Sequence, residues 1–277
     1  MTHPYNSKTA VLTSKHQKLE LIGPSLKSAV GLDLIEEVLD TDQLGTFSGE
    51  IERVGSPLET AIKKARLGMT ATGMSLGVAS EGSIGPDPLV PFLVSNIETV
   101  VFLDSELDIV VSETVRSMDI AAASLKAIPG QDLTEFLAKI GFPQQRVIAK
   151  GSAAIEKGIG SMDELAASIQ RLSPQSQNGE VLIEPDYRAM YSPTRRVNIQ
   201  QAAQALAVRL ASTCPACTSP GWGKKDYIRG LSCSSCELYH PDAIARELET
   251  CVRCDHVQPG RLVAESLDPS RCSSCNP

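Results

Sequence analysis

Four cysteine pairs dominate one end of this chain and limit what that end can become. All eight cysteines lie beyond residue 213, in "CPAC", "CSSC", "CVRC" and "CSSC". Cys214 and Cys217 are followed after fifteen residues by Cys233 and Cys236. Fourteen residues later come Cys251 and Cys254, and after seventeen more Cys272 and Cys275. Two thiolates two residues apart grip one metal through a tight knuckle, and a second knuckle completes a tetrahedron. The spacing therefore predicts two four-cysteine zinc sites. Free thiols or thioredoxin-like redox pairs are the competing reading, which four evenly placed pairs disfavour. Sequential pairing of the knuckles, giving two zinc ribbons in tandem, is expected from the turn residues "SPGWG" and "QPG" inside each half. Alternate pairing would give a cross-braced module. His240 and His256 are the other nearby ligand types; with eight cysteines present they are expected at the surface. All-thiolate sites leave no open coordination position, so both zinc ions are expected to be structural.

The cysteines also set the domain boundary, with an α/β domain expected over residues 8–211 and the zinc module over 212–277. The chain of 277 residues is 42% hydrophobic, enough for one sizeable core beside a small one. Its net charge of −7 disfavours non-specific binding to nucleic acid or anionic lipid. The acidity sits mainly in the first part, with 19 basic and 25 acidic residues before position 212 against 7 and 8 after it. No apolar run reaches the length of a membrane span, and "MTHPYNSKTAVLTSK" has no signal-peptide core, so a cytoplasmic protein without membrane contact is expected. Disulfides are disfavoured for the same reason.

Strand-like and helix-like segments alternate before the module, which predicts a mixed sheet flanked by helices. "TAVLTS", "SLGVAS", "ETVVFL", "LDIVVS", "RVIAK" and "EVLIE" read as strands, the third and fourth as a hairpin; "LDLIEEVL" is ambiguous. Ser56-Pro57-Leu58-Glu59 carries a capping-box spacing and a proline at the first helical position, and Gly73 is a natural stop for that helix. Asp132 with Glu135 and Ser161 with Glu164 repeat the capping spacing. "PTRRVNIQQAAQALAVRLAS" reads as a long final helix. "DTDQLGTFSGEIER" gathers Asp40, Asp42, Glu50 and Glu52; Asp40 and Asp42 would share one face of a strand, although a plain acidic loop accounts for them equally.

Chemistry is sought where an apolar strand gives way to an acid. Glu81 stands at the end of "SLGVAS" and is followed by Gly82, and the ends of strands in α/β sheets are where sites form. Three segments precede or contain it in order: "LTSKHQKLELI" with Thr13, Lys15 and Lys18, then "SPLETAIKKA" with Glu59 and Lys64, then "GVASEG". This order resembles the house-cleaning nucleoside triphosphate pyrophosphatases, the inosine/xanthosine triphosphatase-like family. That family has a Thr-x-Asn-x-x-Lys start, a helix with Glu-Asn-Ala-x-x-Lys-Ala and a strand ending in an acid-glycine turn. Thr13 and Lys18 match the first motif, with Lys15 in place of its asparagine. Glu59, Ala61, Lys64 and Ala65 match the second, with Thr60 in place of its asparagine. Glu81-Gly82 matches the third. The specific matches all lie within the first 90 residues. The whole chain also resembles an uncharacterised bacterial family, from which no activity follows.

The resemblance implies a metal-dependent hydrolase of a nucleoside triphosphate or related phosphoanhydride that releases pyrophosphate. Glu59 and Glu81 would hold a magnesium ion or activate water, while Lys15, Lys18 and Lys64 neutralise phosphate and Thr13 helps to cradle it. It also implies a basic residue near the last helix against the substrate, for which "YRAMYSPTRR" offers Arg188, Arg195 and Arg196, although the family's Ser-His-Arg is absent. Simpler roles stand beside these: Glu59 can merely complete a capping box, Lys64 can be a solvated helix residue, and Glu81 a turn residue. A function of another class also fits the sequence, in which the zinc ribbons of a non-catalytic protein dock onto a protein or nucleic-acid partner.

Overall fold

A consecutive apolar run, Ala10-Val11-Leu12, starts the fold buried on both faces, and the computed structural model describes residues 2–41, 43 and 55–277. Strand β1 (Thr9–Thr13), helix α1 (Leu19–Val30), strand β2 (Asp33–Glu37) and helix α2 (Pro57–Thr72) lead into β3 (Leu76–Pro86), β4 (Val94–Asp104) and β5 (Ile109–Ser117). These strands form one mixed sheet in the order β2-β1-β3-β4-β5. β1 runs parallel to β2 and to β3, whereas β3, β4 and β5 are antiparallel neighbours. The ambiguous "LDLIEEVL" is thus an edge strand. Asp104 closes the expected β4–β5 hairpin by accepting the N–H groups of Glu106 and Leu107 at 2.9 and 3.0 Å.

Period-two alternation gives this sheet two working faces. Leu76 and Val78 of β3, with Val100 and Phe102 of β4, join the large core under α1. Ala79, Val101 and Leu103 point the other way, against Ala61 and Ala65 of α2. Small residues on both partners let α2 approach closely. Its start is as expected: Ser56 accepts the Glu59 N–H, Glu59 accepts the Ser56 N–H, proline occupies the first turn and Gly73 closes the helix at φ 71°.

β6 (Leu125–Ala127), α3 (Thr134–Ile140), β7 (Val147–Lys150), β8 (Ile155–Ile159), α4 (Met162–Leu172) and β9 (Val181–Pro185) follow. They build a second, antiparallel sheet in the order β6-β9-β7-β8 with its own core, including Leu137, Val147, Ile159 and Ile183. The expectation of one sheet across residues 8–211 is therefore corrected. "RVIAK" and "EVLIE" pair with each other, Val147 opposite Pro185, and turn their apolar residues toward α3 and α4. The capping box expected at Asp132 does not form. Leu133 is the N-cap residue, and Asp132 instead accepts the Thr134 N–H at 2.9 Å. Ser161 does cap α4, accepting the Glu164 N–H at 3.2 Å, but the Glu164 carboxylate turns to the Gly160 N–H.

Helix α5 (Pro193–Ala211) returns to the first sheet and lays Ile199, Ala202, Ala203 and Leu206 into the core shared with α1. After it come β10 (Gly223–Ser232), β11 (Tyr239–Thr250) and β12 (Val257–Leu262), an antiparallel three-stranded sheet. The cysteine pairs occupy its ends, before β10, between β10 and β11, between β11 and β12, and after β12. Among the described residues no helix is long and apolar enough to cross a membrane.

Candidate functional site

The cysteines assemble into two tetrads, and the sequential pairing expected from the sequence is overturned. Cys214, Cys217, Cys251 and Cys254 form one group, and Cys233, Cys236, Cys272 and Cys275 the other, each with all sulfurs within 4.8 Å. The β10–β11 hairpin imposes this arrangement. Gly223 lies opposite Thr250 and Ser232 opposite Tyr239, so the first knuckle lands beside the third and the second beside the fourth. Sequential partners would sit at opposite ends of a ten-residue strand, roughly 30 Å apart.

The tetrads fit zinc. Four sulfurs about 2.3 Å from one ion are about 3.8 Å from each other in a tetrahedron. Cys214–Cys254 and Cys217–Cys251 are 3.8 and 3.6 Å apart, and Cys233–Cys275 and Cys236–Cys272 repeat those values. These separations are far longer than a disulfide bond. Backbone N–H groups support the sulfurs, as those of Arg253 and Cys254 do at 3.3 Å from Cys251. Backbone donation from Cys236 and Ser235 brings the Cys233 thiol down to about 7. Burial opposes the same effect at Cys251, yet its two backbone donors also bring that thiol to about 7. Both groups are poised to become thiolates when a cation arrives.

The two tetrads have different surroundings. The proximal group is joined to the α/β body: Val252, inside its second knuckle, packs against the main core, and Arg209 of α5 donates to Gly221 O at 3.1 Å and to Glu113 at 2.8 Å. Trp222 is buried there and stacks with His256 at 5.3 Å. The distal group has a small core of its own, in which Leu231, Cys233, Leu267 and Cys272 are buried. His240 places Nε2 3.3 Å from Cys272 Sγ. Neither histidine is the bare surface residue expected: each packs against or beside a cysteine knuckle.

A second constellation lies at the carboxyl end of β1, where parallel strands meet a change of direction. α1 carries the chain from β1 to β2, and α2 returns it across to β3 on the other side of β1, which makes this end the switch point of the sheet. β1 pairs with β3 only as far as Thr13 opposite Ala79. β3 itself runs on to Pro86, so Glu81 is not at the strand's end, as the sequence predicts, but in its middle, opposite Thr99. The mouth of the site is set by where β1 stops.

Beyond that point the alternation continues with polar residues. On the α2 face, the buried Glu81 meets Lys64 at 2.5 Å. On the α1/α5 face, Lys18 donates to Ser80 Oγ at 2.8 Å, and the fully buried Arg195 and Glu98 pair at 2.5 Å. Arg195 also donates to Tyr187 O at 2.5 Å, tying the start of α5 to the segment that leaves the second sheet. Gly82 makes room for the guanidinium: a Cβ there would lie 2.5 Å from Arg195 Nη2 and 2.6 Å from Glu98 Oε1. Asn96 bridges Glu98 and Asn198 at 2.9 and 2.7 Å. Lys18 is buried, and its amine falls to about 7, first through desolvation and then through Arg195, against the pull of Glu98 and Glu81.

Of the residues the sequence singles out, Lys64 and Glu81 meet on the α2 face, while Lys18 and Arg195 lie on the α1/α5 face of the same sheet beside Ser80 and Glu98; the remaining candidates make other contacts. Glu59 is exposed, and its Oε2 accepts from Ser56 N at 2.8 Å and Ser56 Oγ at 3.0 Å, so the geometry is that of the capping box. Those bonds hold its carboxyl below the usual range. Thr13 is buried with its hydroxyl packed against Gly68, making no hydrogen bond among the described residues. Lys15 pairs with Asp40 at 3.2 Å. Arg188 pairs with Asp186 at 2.5 Å and lies over Tyr191 at 4.8 Å. Arg196 pairs with Glu20. Asp42, Glu50 and Glu52 lie outside the described residues. Glu98 and Ser80 were missed from sequence; the signal for Glu98 was an acid inside the apolar run "NIETVVFL".

Fold and tetrads define an α/β body carrying a cysteine-rich module compatible with zinc binding. The chain belongs to the family described as Domain of unknown function (DUF6671), whose model matches residues 64–277. No curated protein and no solved structure matches the chain. The matched span contains all eight cysteines with Lys64, Glu81, Arg188 and Arg195, while Thr13, Lys15, Lys18 and Glu59 precede it.

Proposed function

We propose that the α/β body is a metal-dependent hydrolase of a nucleoside triphosphate or related phosphoanhydride, releasing pyrophosphate. The observation that carries this reading is Lys18, buried at the switch point with Lys64, Arg195 and Glu81 around it. A desolvated amine is poorly charged near neutrality, and an arriving phosphate returns the charge by supplying an opposite one. Lys18 takes up a proton as the anion binds and stabilises it. Lys64 exchanges its bond to Glu81 for a phosphate oxygen. With Glu59 occupied by its own helix, Glu81 is the one carboxylate of the pair assigned to a magnesium ion that faces the cluster. Magnesium is commonly bound by one or two carboxylates together with substrate phosphates, so Glu81 would hold it jointly with the triphosphate. When bound, it supplies charge neutralisation at the phosphate oxygens.

Ordinary and deaminated nucleoside triphosphates, incubated with the full chain and magnesium or manganese, test this by pyrophosphate release. Glu81→Gln keeps the side chain's size but removes its charge, and is expected to lower turnover at least about a hundredfold with zinc content unchanged. No turnover of any nucleotide by the wild-type chain overturns the reading.

The module's surface favours a second reading, a non-catalytic protein that docks onto a protein or nucleic-acid partner. Leu238, Tyr239, Val257, Leu262 and Val263 are exposed on it, at both ends of its sheet, and exposed apolar side chains give a partner something to cover. The two readings separate on Glu81→Gln, which leaves docking through the module intact.

A further inference from the structure

We propose that the distal tetrad is a modification site for hydroperoxides, at which Cys275 is oxidised, Cys233 resolves it and one zinc ion is released. Oxidation of a cysteine follows thiolate character and exposure. Zinc makes all eight cysteines thiolates, so exposure discriminates among them. In the proximal tetrad Cys214 is buried and the other three are partly covered; in the distal tetrad Cys236 and Cys275 are exposed while Cys233 and Cys272 are buried. Each exposed cysteine therefore has a buried neighbour from the opposite knuckle, Cys275 with Cys233 at 3.8 Å and Cys236 with Cys272 at 3.6 Å between sulfurs.

His240 separates these two pairs. Its Nε2 lies 3.3 Å from Cys272 Sγ, which also receives the Ser274 N–H at 3.4 Å. The imidazole standing on Cys272 Sγ covers the side from which attack would occur, whereas Cys233 Sγ receives backbone N–H groups, from Ser235 at 3.5 Å and from Cys236. Cys233 is the better resolving thiolate.

The chemistry balances with a hydroperoxide as oxidant. The Cys275 thiolate attacks the terminal peroxide oxygen, the O–O bond breaks, and the departing alkoxide or hydroxide takes a proton. Cys275 is now a sulfenic acid, oxidised by two electrons. The Cys233 thiolate attacks its sulfur, the S–O bond breaks, and hydroxide leaves and is protonated to water. A disulfide has replaced two zinc ligands, and the ion departs from the two thiolates that remain. The proximal tetrad is held differently, with Val252 of its knuckle in the main core.

The test uses the zinc-loaded full chain and hydrogen peroxide, with a chromogenic zinc indicator, mass mapping of the cysteines and the fluorescence of Trp222, the single tryptophan, which stacks on His256 beside the proximal knuckle. One zinc equivalent is expected to leave at least about tenfold faster than the second, as exposed thiolates outpace covered ones. A Cys233–Cys275 disulfide should accompany it while the Trp222 signal stays constant. Cys275→Ser should abolish that disulfide; should it also weaken zinc binding, the wild-type mapping decides alone. Equal release rates, early loss of the Trp222 signal, or first oxidation at Cys214, Cys217, Cys251 or Cys254 overturns the proposal.

Discussion

The cysteine module and the polar cluster of the α/β body are built on opposite principles. In the module, the cysteines come in close pairs, the hairpin brings pair to pair, and the two tetrads are compatible with one zinc ion each. In the body, Lys18, Lys64, Glu81, Glu98 and Arg195 come from five elements, and each is fixed by core packing before any ligand arrives. The module has a buried cluster of four residues, the body one of twenty-one. One region gathers its polar side chains on a small core around two candidate metal sites, and the other embeds them in a large one.

Removing metal tests that contrast most strongly. Metal binding supplies on the order of 10 kcal/mol per structural zinc site, far more than so small a core provides. Chelation of both ions should therefore unfold β10, β11 and β12, with loss of the Trp222–His256 environment, while helical circular dichroism from α1, α2 and α5 persists. A loss of helix in parallel with the Trp222 signal would show that the proximal tetrad also holds the body together.

The body's counterpart is its buried ion pair. Arg195→Met leaves Glu98 buried without a compensating cation, at a cost of about 3–5 kcal/mol. Unfolding by urea should move to lower concentration, with zinc content intact. Arg195→Met combined with Glu98→Leu should recover much of the loss, because removing both charges leaves no uncompensated charge in the core. Failure of the double variant to recover would mean that Asn96, Asn198 and the Tyr187 carbonyl, which share the network, set its stability instead.

What was legible in the sequence follows the same division. Cysteine spacing marks all eight members of the two tetrads, because a knuckle is local. Their partnership was not legible, because it depends on the register of a hairpin that brings Gly223 beside Thr250. Ser56, Glu59 and Gly73 revealed a helix with its caps, and the same local logic explains why Glu59 serves its own helix. The sequence places Glu81 at a strand's end, whereas it lies within β3, since nothing in "SLGVASEGSIGP" shows where the neighbouring β1 stops. Glu98 and Arg195, 97 residues apart, could be paired only by the fold.

Lys18 offers a test of pre-organisation through pH. Its folded-state amine lies near 7, well below the ordinary lysine value, so the unfolded chain binds more protons between those two values. Stability contributed by this group therefore rises with pH from about 7 toward the ordinary lysine value, and the burden is largest at and below 7. Lys18→Met removes a buried amine that is costly when charged. The variant should melt higher than wild type at pH 6, with the gain shrinking toward pH 10, and should lose nucleotide turnover. A gain independent of pH would place the cause in packing rather than in the charge.

The smallest expected effect concerns Glu59, and it separates the body's cluster from its scaffold. Glu59 and Ser56 exchange hydrogen bonds at the start of α2, with Ser56 N to Glu59 Oε2 at 2.8 Å and Glu59 N to Ser56 Oγ at 3.2 Å. Ser56→Ala removes the hydroxyl that satisfies one first-turn N–H and should cost about 1 kcal/mol. Glu59→Gln keeps the box, because Gln also serves at that position, and loses only the favourable meeting of a negative charge with the helix N-terminus, an effect smaller than that of Ser56→Ala. Its effect should fade as pH falls through the Glu59 carboxyl's lowered range, since protonation removes the same charge from wild type. Neither change touches Lys64, which lies further along the same helix and pairs with Glu81, so magnesium dependence and turnover should match wild type. A hundredfold loss of turnover in Glu59→Gln, beside a stability change below 1 kcal/mol, would return Glu59 to the substrate side and show that α2 presents both its carboxylate and Lys64 to the phosphates.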